Sequence, residues 1–141
     1  MELDTGQTIK ALNALLETEL SGAIRYTQYS LMVFGHARIP IVGWMREQAN
    51  ESLMHATQAG EHITALGGEP SLGIGELVGT HHREIDAMMQ EMLVHEQKGV
   101  DLYRQLLEIV SGRSIGLEEY ARTMIRDEEL HISEIRKMLR H

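Results

Sequence analysis

The sequence predicts an all-α fold, an antiparallel four-helix bundle with a long crossover between helices two and three. Three observations carry this. Apolar residues recur at helical spacing in four long stretches, and clusters of glycine and proline fall between them. The apolar content is mainly Leu, Ile, Ala and nine Met, with one Trp, four Tyr and one Phe among 141 residues. The four stretches are also too long for any other economical packing in so short a chain: helices of roughly 26–30 residues are ~40 Å long.

The first helix is expected from about Thr8 to Phe34, with Leu12, Leu16, Glu19, Ala23, Tyr26, Ser30 and Val33 inward and Gly35 as a left-handed stop. The second begins at Pro40, suited to a first helical position, and turns Trp44, Gln48, Glu51 or Ser52, His55, Ala59, His62 and Leu66 inward before Gly67-Gly68. Next comes GGEPSLGIGELVG, residues 67–79, a glycine-rich connection with room for one short helical turn. The third helix is expected from His81 to Val110, with Met89, Met92, Glu96, Gly99, Tyr103 and Leu107 among its inward residues, and Ser111-Gly112 breaks it. The fourth starts near Ser114, an N-cap, with Glu118 and Glu119 in its early turns and Ala121, Met124, Glu128, His131 and Ile135 inward. Short links at 35–39 and 111–114 join antiparallel neighbours. The long link crosses the length of the bundle and makes helices two and three parallel. One domain over residues 1–141 is expected.

Formal charge is −8, which disfavours nucleic acid and anionic membrane as partners. There is no cysteine, so disulfides, thiolate sites and iron–sulfur clusters are excluded, in keeping with a cytoplasmic location. MELDTGQTIK lacks the basic-then-apolar pattern of a signal peptide, and no apolar run approaches the ~18 residues of a membrane span.

Each helix places an ionisable group in the middle of its apolar stripe: Glu19; Glu51 and His55; Glu96; Glu128 and His131. Carboxylates at core positions are costly unless paired or metal-bound, and four in one layer repel. Two divalent cations match their charge, with the imidazoles bound neutral. Glu-x-x-His on one helix face converges on one ion. Mixed oxygen and imidazole ligation suits iron or manganese and tolerates zinc. A lone core Glu–His pair is more often a hydrogen-bonded structural pair; one acid per helix, two with a histidine, favours a dinuclear site. Glu61, His95, Glu129 and Glu134 are expected to face solvent, His62 to be a polar core residue rather than an extra ion site, and His81-His82 to be exposed at a helix start.

The stretches LLETELSGAIRYTQYS (15–30), HATQAGEHITALGGEPSL (55–72), HEQKGVDLYRQL (95–106) and RDEELHISEI (126–135) resemble the ferritin superfamily, and within it the bacterioferritins. The resemblance implies that Glu19, His55, Glu96, Glu128 and His131 are ferroxidase-centre ligands, with Glu128 bridging and Tyr26 nearby. It implies oxidation of Fe(II) by dioxygen or peroxide for iron storage or detoxification, and homo-oligomers from a dimer up to a 24-subunit shell. Three positions depart from that pattern. The acid three before the helix-two histidine is Ser52, so Glu51, four before it, is the substitute. The haem-ligating methionine falls on Leu53, which argues against haem. The chain stops at His141, so the family's short fifth helix has no counterpart. Two other readings are a peroxide-reducing di-iron protein resembling rubrerythrin, and a structural helical oligomer whose metal site has degenerated. A DNA-shielding mini-ferritin is disfavoured, because its sites lie between subunits.

Overall fold

The computed structural model describes residues 2–77, 79 and 81–140. Val78 and Thr80, inside the long link, and Met1 and His141, at the two ends, lie outside the described residues. Four helices follow in order: α1 (Thr5–Leu31), α2 (Arg38–Ala65), α3 (Ile85–Val110) and α4 (Ile115–Leu139). Among the described residues there is no strand.

Local chemistry explains the ends. Asp4 caps α1, its carboxylate accepting from Gln7 N–H at 3.0 Å, so the helix begins three residues earlier than predicted. It also ends at Leu31, before Gly35. Arg38 donates to the carbonyls of Val33 and Ser30, satisfying acceptors at that end, and Gly35 takes φ +100° in the turn instead. Pro40 is the third residue of α2 rather than the first, still inside the turn whose N–H groups lack helical partners. Ser114 caps α4, as predicted, by accepting from Leu117 N–H. The start of α3 differs most: residues 81–83 stay outside the helix and His82 reaches Glu91 at 2.7 Å.

Two apolar clusters give the topology. One joins Leu12 and Leu16 of α1, Ile63 of α2, Leu106 of α3 and Leu117 of α4. The other joins Tyr29, Met45, Met89 and Ile135 of the same four helices. The N-terminal halves of α1 and α4 therefore pack with the C-terminal halves of α2 and α3. Helices α1 and α4 run one way and α2 and α3 the other, which is the predicted crossover. Each fully buried Leu, Ile or Met contributes ~1.5–3 kcal/mol of hydrophobic stabilisation before entropy is counted.

The link is not helical among its described residues; it lies against α1 in extended form. Ser71 N–H donates to Asn13 Oδ1 and the Ser71 hydroxyl to Glu17. Gly75 N–H donates to the Glu17 carbonyl at 2.8 Å, an approach so close that a Cβ at Gly75 would sit 2.8 Å from that oxygen. These bonds replace those that a helical turn would have made. Around the bundle, α2 packs on α1, α1 on α3 and α3 on α4. Helices α2 and α4 make no close backbone approach among the described residues, and a groove of about 750 Å³ separates them. Among the described residues, no helix is long and apolar enough to cross a membrane.

Candidate metal centre

Between the two apolar clusters lies a polar layer. Glu19, Ser52, His55, Glu96 and Glu128 are all buried there, and His131 is mostly covered. They converge because each occupies the mid-stripe position of its helix, and the helices cross the layer at the same height. Five of the six predicted ligands come together in two triads that share Glu128. Glu19, His55 and Glu128 form one; Glu96, Glu128 and His131 form the other; within each, the ligand atoms lie within 4.8 Å of one another.

The hydrogen bonding shows how they face. Glu19 Oε2 and His55 Nδ1 approach to 2.9 Å, and Glu128 Oε1 lies 3.5 Å from the same nitrogen. Yet Glu19 Oε2, His55 Nδ1 and Glu128 Oε2 are buried without a directed hydrogen bond. Groups aimed at a common point rather than at each other are what a cation requires. Three carboxylate and imidazole contributors per triad, with Glu128 common to both, fit two divalent cations of the iron or manganese type.

Electrostatics gives the same answer from the charge side. Burial, and then the charge of Glu96, pushes the Glu128 carboxyl up to about 10. Burial also raises Glu19, against the pull of His55. Glu96 goes the other way: burial opposes ionisation, but its bonds to Glu128 and His131 hold it at about 2. His55 rises to about 10, because the nearby Glu128 and Glu19 carboxylates outweigh its burial. His131 is raised by Glu96 against its own burial. Protons on Glu128 and His55 thus offset the negative charge of the buried carboxylates, and cations can exchange for them.

Glu51 is not brought into the cluster. It is about half exposed, and its carboxylate sits 3.6 Å from His55 Nε2, on the far side of the imidazole from Glu19 and Glu128. Its place in the layer is taken by Ser52, whose hydroxyl donates to the Glu19 carbonyl at 2.8 Å. A one-residue change of position turns a helical side chain by ~100°, which is why the acid at 51 cannot simply stand in for one at 52. Tyr26 is placed as the resemblance implied: its hydroxyl donates to Glu96 Oε1 at 2.9 Å.

Other sequence expectations hold unevenly. His62 lies tilted against Tyr120, ring centroids 4.3 Å apart, and is partly buried; desolvation lowers its pKa. Glu61, Glu129, Glu134 and His81 are exposed as expected. His82 is not simply exposed, since it pairs with Glu91, which also takes Arg25 at 2.5 Å and the Tyr29 hydroxyl. His95 does not face solvent either. It is partly buried against Gly22 of α1, with its pKa lowered by desolvation. Trp44 was legible only as inward-facing. It lies 5.9 Å from the Tyr26 ring and 6.0 Å from the His131 ring, walling the second triad. Nothing in helical spacing alone reveals a partner on another helix.

Comparisons with known proteins agree with this architecture. The profile of the ferritin-like domain matches residues 9–141. Among solved structures, the chain is similar to the ferritin-like, diiron-carboxylate proteins from Bacillus anthracis str. Ames, with a TM-score of 0.91 and 23% identity over 99% of this chain and 100% of that one. It is similar to the bacterioferritin-related dodecameric thioferritin from Bacteroides fragilis, with a TM-score of 0.90 and 22% identity over 98% and 87%. It is also similar to Rhodobacter capsulatus bacterioferritin, described with a metal-free dinuclear site and haem iron, with a TM-score of 0.82 and 22% identity over 99% and 86%. No curated protein matches the sequence. With four helices, the crossover and a family profile spanning nearly its whole length, the chain belongs to the ferritin-like domain family.

Proposed function

We propose that this protein is a di-iron ferroxidase of the bacterioferritin type, oxidising Fe(II) to Fe(III) with dioxygen or hydrogen peroxide for iron storage or detoxification. The observation that carries this reading is the pair of buried Glu/His triads sharing Glu128. Fe(II) is the substrate, and two such ions supply the electrons that the oxidant takes up.

The chain's own groups do the rest. Glu19 and His55 hold one position and Glu96 and His131 the other, with Glu128 common to both. Tyr26 fixes the orientation of Glu96 through its hydrogen bond. Glu51 acts through His55: a carboxylate at Nε2 holds the ring so that Nδ1 faces the ion, the usual role of an outer partner to a ligating histidine. Three buried carboxylates, Glu19, Glu96 and Glu128, favour the more highly charged ion and so draw oxidation forward. The acidic groove between α2 and α4, where Glu47, Glu51, Glu119 and Asp127 lie, supplies a cation-attracting approach. The chain works as one domain within a cytoplasmic homo-oligomer without haem; the named dodecameric relative supports oligomerisation.

The test is Fe(II)-dependent oxygen or peroxide consumption. Glu96→Ala and His131→Ala should each remove most rapid oxidation while helix content stays unchanged. Wild-type rates in both would refute the assignment. One observation favours a second reading. Ser52 leaves a single shared carboxylate, the pattern of a degenerate site in a structural oligomer. Fewer than two ions bound per chain, with no Fe(II)-dependent oxygen uptake, would select it.

A further inference from the structure

The polar layer has a second approach, on the opposite side of the bundle from the acidic groove. Between α1, α3 and the long link lies a cavity of about 350 Å³, lined by Arg25, Tyr29, Glu76, Glu91, His95 and Lys98. It is more enclosed than the α2/α4 groove and different in charge. Apart from His55 at its floor, the groove's charged residues are acidic, whereas here Arg25 and Lys98 balance Glu76 and Glu91, and Arg25 is already paired with Glu91. A cavity of balanced charge has no particular attraction for a divalent cation.

The inner end of this cavity is unusual. His95 crosses over α1 at Gly22, where the bare Cα leaves a notch. A Cβ at Gly22 would lie 2.7 Å from His95 Nε2 and 2.8 Å from Ser52 Oγ. On the far side of the notch, Ser52 donates to the Glu19 carbonyl, and Glu19 is a member of the first triad. His95 Nε2 and Ser52 Oγ therefore fill the notch between them, and His95, which also lines the cavity, closes it off from Ser52 and Glu19.

We propose that this path, from the α1/α3 cavity past His95 through the Gly22–Ser52 notch, is the inlet for the small uncharged oxidant, with His95 as its gate. The two substrates then arrive by opposite faces, the cation by the acidic groove and the neutral dioxygen or hydrogen peroxide by the charge-balanced cavity. Ser52 has a function in this arrangement: its small side chain leaves the His95 imidazole as the group that closes the notch. The inference rests on the di-iron reading, and its test separates the two.

Gly22→Ala places a methyl group in the notch. In stopped-flow oxidation with either dioxygen or hydrogen peroxide, kcat/KM for the oxidant should fall several-fold, with kcat at saturating oxidant preserved. Binding of two Co(II) ions per chain, followed by visible absorption without any turnover, should be unchanged. Removing the imidazole as well, in Gly22→Ala/His95→Ala, should restore kcat/KM. His95→Ala alone should raise it above wild type, which keeps the test available if Gly22→Ala does not fold. The oxidant whose arm responds is the one that uses the path. Unchanged kcat/KM for both oxidants in His95→Ala overturns the inlet while leaving the di-iron reading intact. Failure of the wild type to bind two Co(II) ions overturns that reading instead.

Discussion

The Tyr26 hydroxyl donates to Glu96 Oε1 at 2.9 Å, joining α1 to α3 inside the polar layer across 70 residues of sequence. Both groups are buried, so neither can turn to water if the other is lost. Tyr26→Phe should therefore cost ~1–3 kcal/mol of stability in the metal-free protein, by leaving a buried acceptor without its donor. It should also weaken metal binding ~10–100-fold, as loss of an outer partner to a metal ligand generally does. Calorimetric Co(II) titration beside thermal melts checks both; a variant with wild-type affinity would show that Tyr26 does not orient Glu96.

Glu51 and Ser52 make opposite contributions. Glu51 meets His55 at the nitrogen turned away from the triad, at 3.6 Å and half exposed. Ser52 is buried and bonded to the Glu19 carbonyl. Glu51→Ala should lower metal affinity with little change in melting temperature. Ser52→Ala should lower stability by ~1 kcal/mol, the worth of one net hydrogen bond, with a smaller effect on affinity. The reverse ranking in a metal titration would make position 52 the one that matters for the ion.

The buried charges fix how stability depends on pH without metal. Glu128 and His55 are both pushed up to about 10, from ordinary values of 4.5 and 6.5. Between their ordinary values and about 10 the folded chain holds protons that the unfolded chain has released. Stability from these groups is complete below the ordinary values and is lost as pH rises toward 10. Glu96, held at about 2, acts with the opposite sign and loses its contribution as pH falls from 4.5 toward 2. The metal-free melting temperature should peak near pH 4.5 and decline on the alkaline side, more steeply once His55 joins above 6.5. Co(II) should reverse the alkaline decline, because cations replace those protons more easily as pH rises. A flat profile from pH 6.5 to 10 would contradict this electrostatic reading.

Much of this was legible in the sequence because it depends on local period. The four helices, their inward faces and the mid-stripe acids follow from spacing on one helix, and the crossover follows from one long link among short ones. Helix ends were less legible, since they are decided by side chains reaching back from elsewhere: Asp4 extends α1, Arg38 terminates it, and the His82–Glu91 pair delays α3. The choice between Glu51 and Ser52 turns on one residue of helical rotation, which an apolar stripe more than 100° wide cannot resolve. His95 was misplaced for a related reason. Its burial comes from Gly22, a missing side chain on another helix, and an absence leaves no periodic signal.

The most direct measurement is anomalous diffraction at the iron edge from crystals loaded anaerobically with Fe(II). Two peaks per chain are expected in the layer between the apolar clusters, one among Glu19, His55 and Glu128 and the other among Glu96, Glu128 and His131. Peaks confined to the protein surface, or none within that layer, would contradict a dinuclear iron centre.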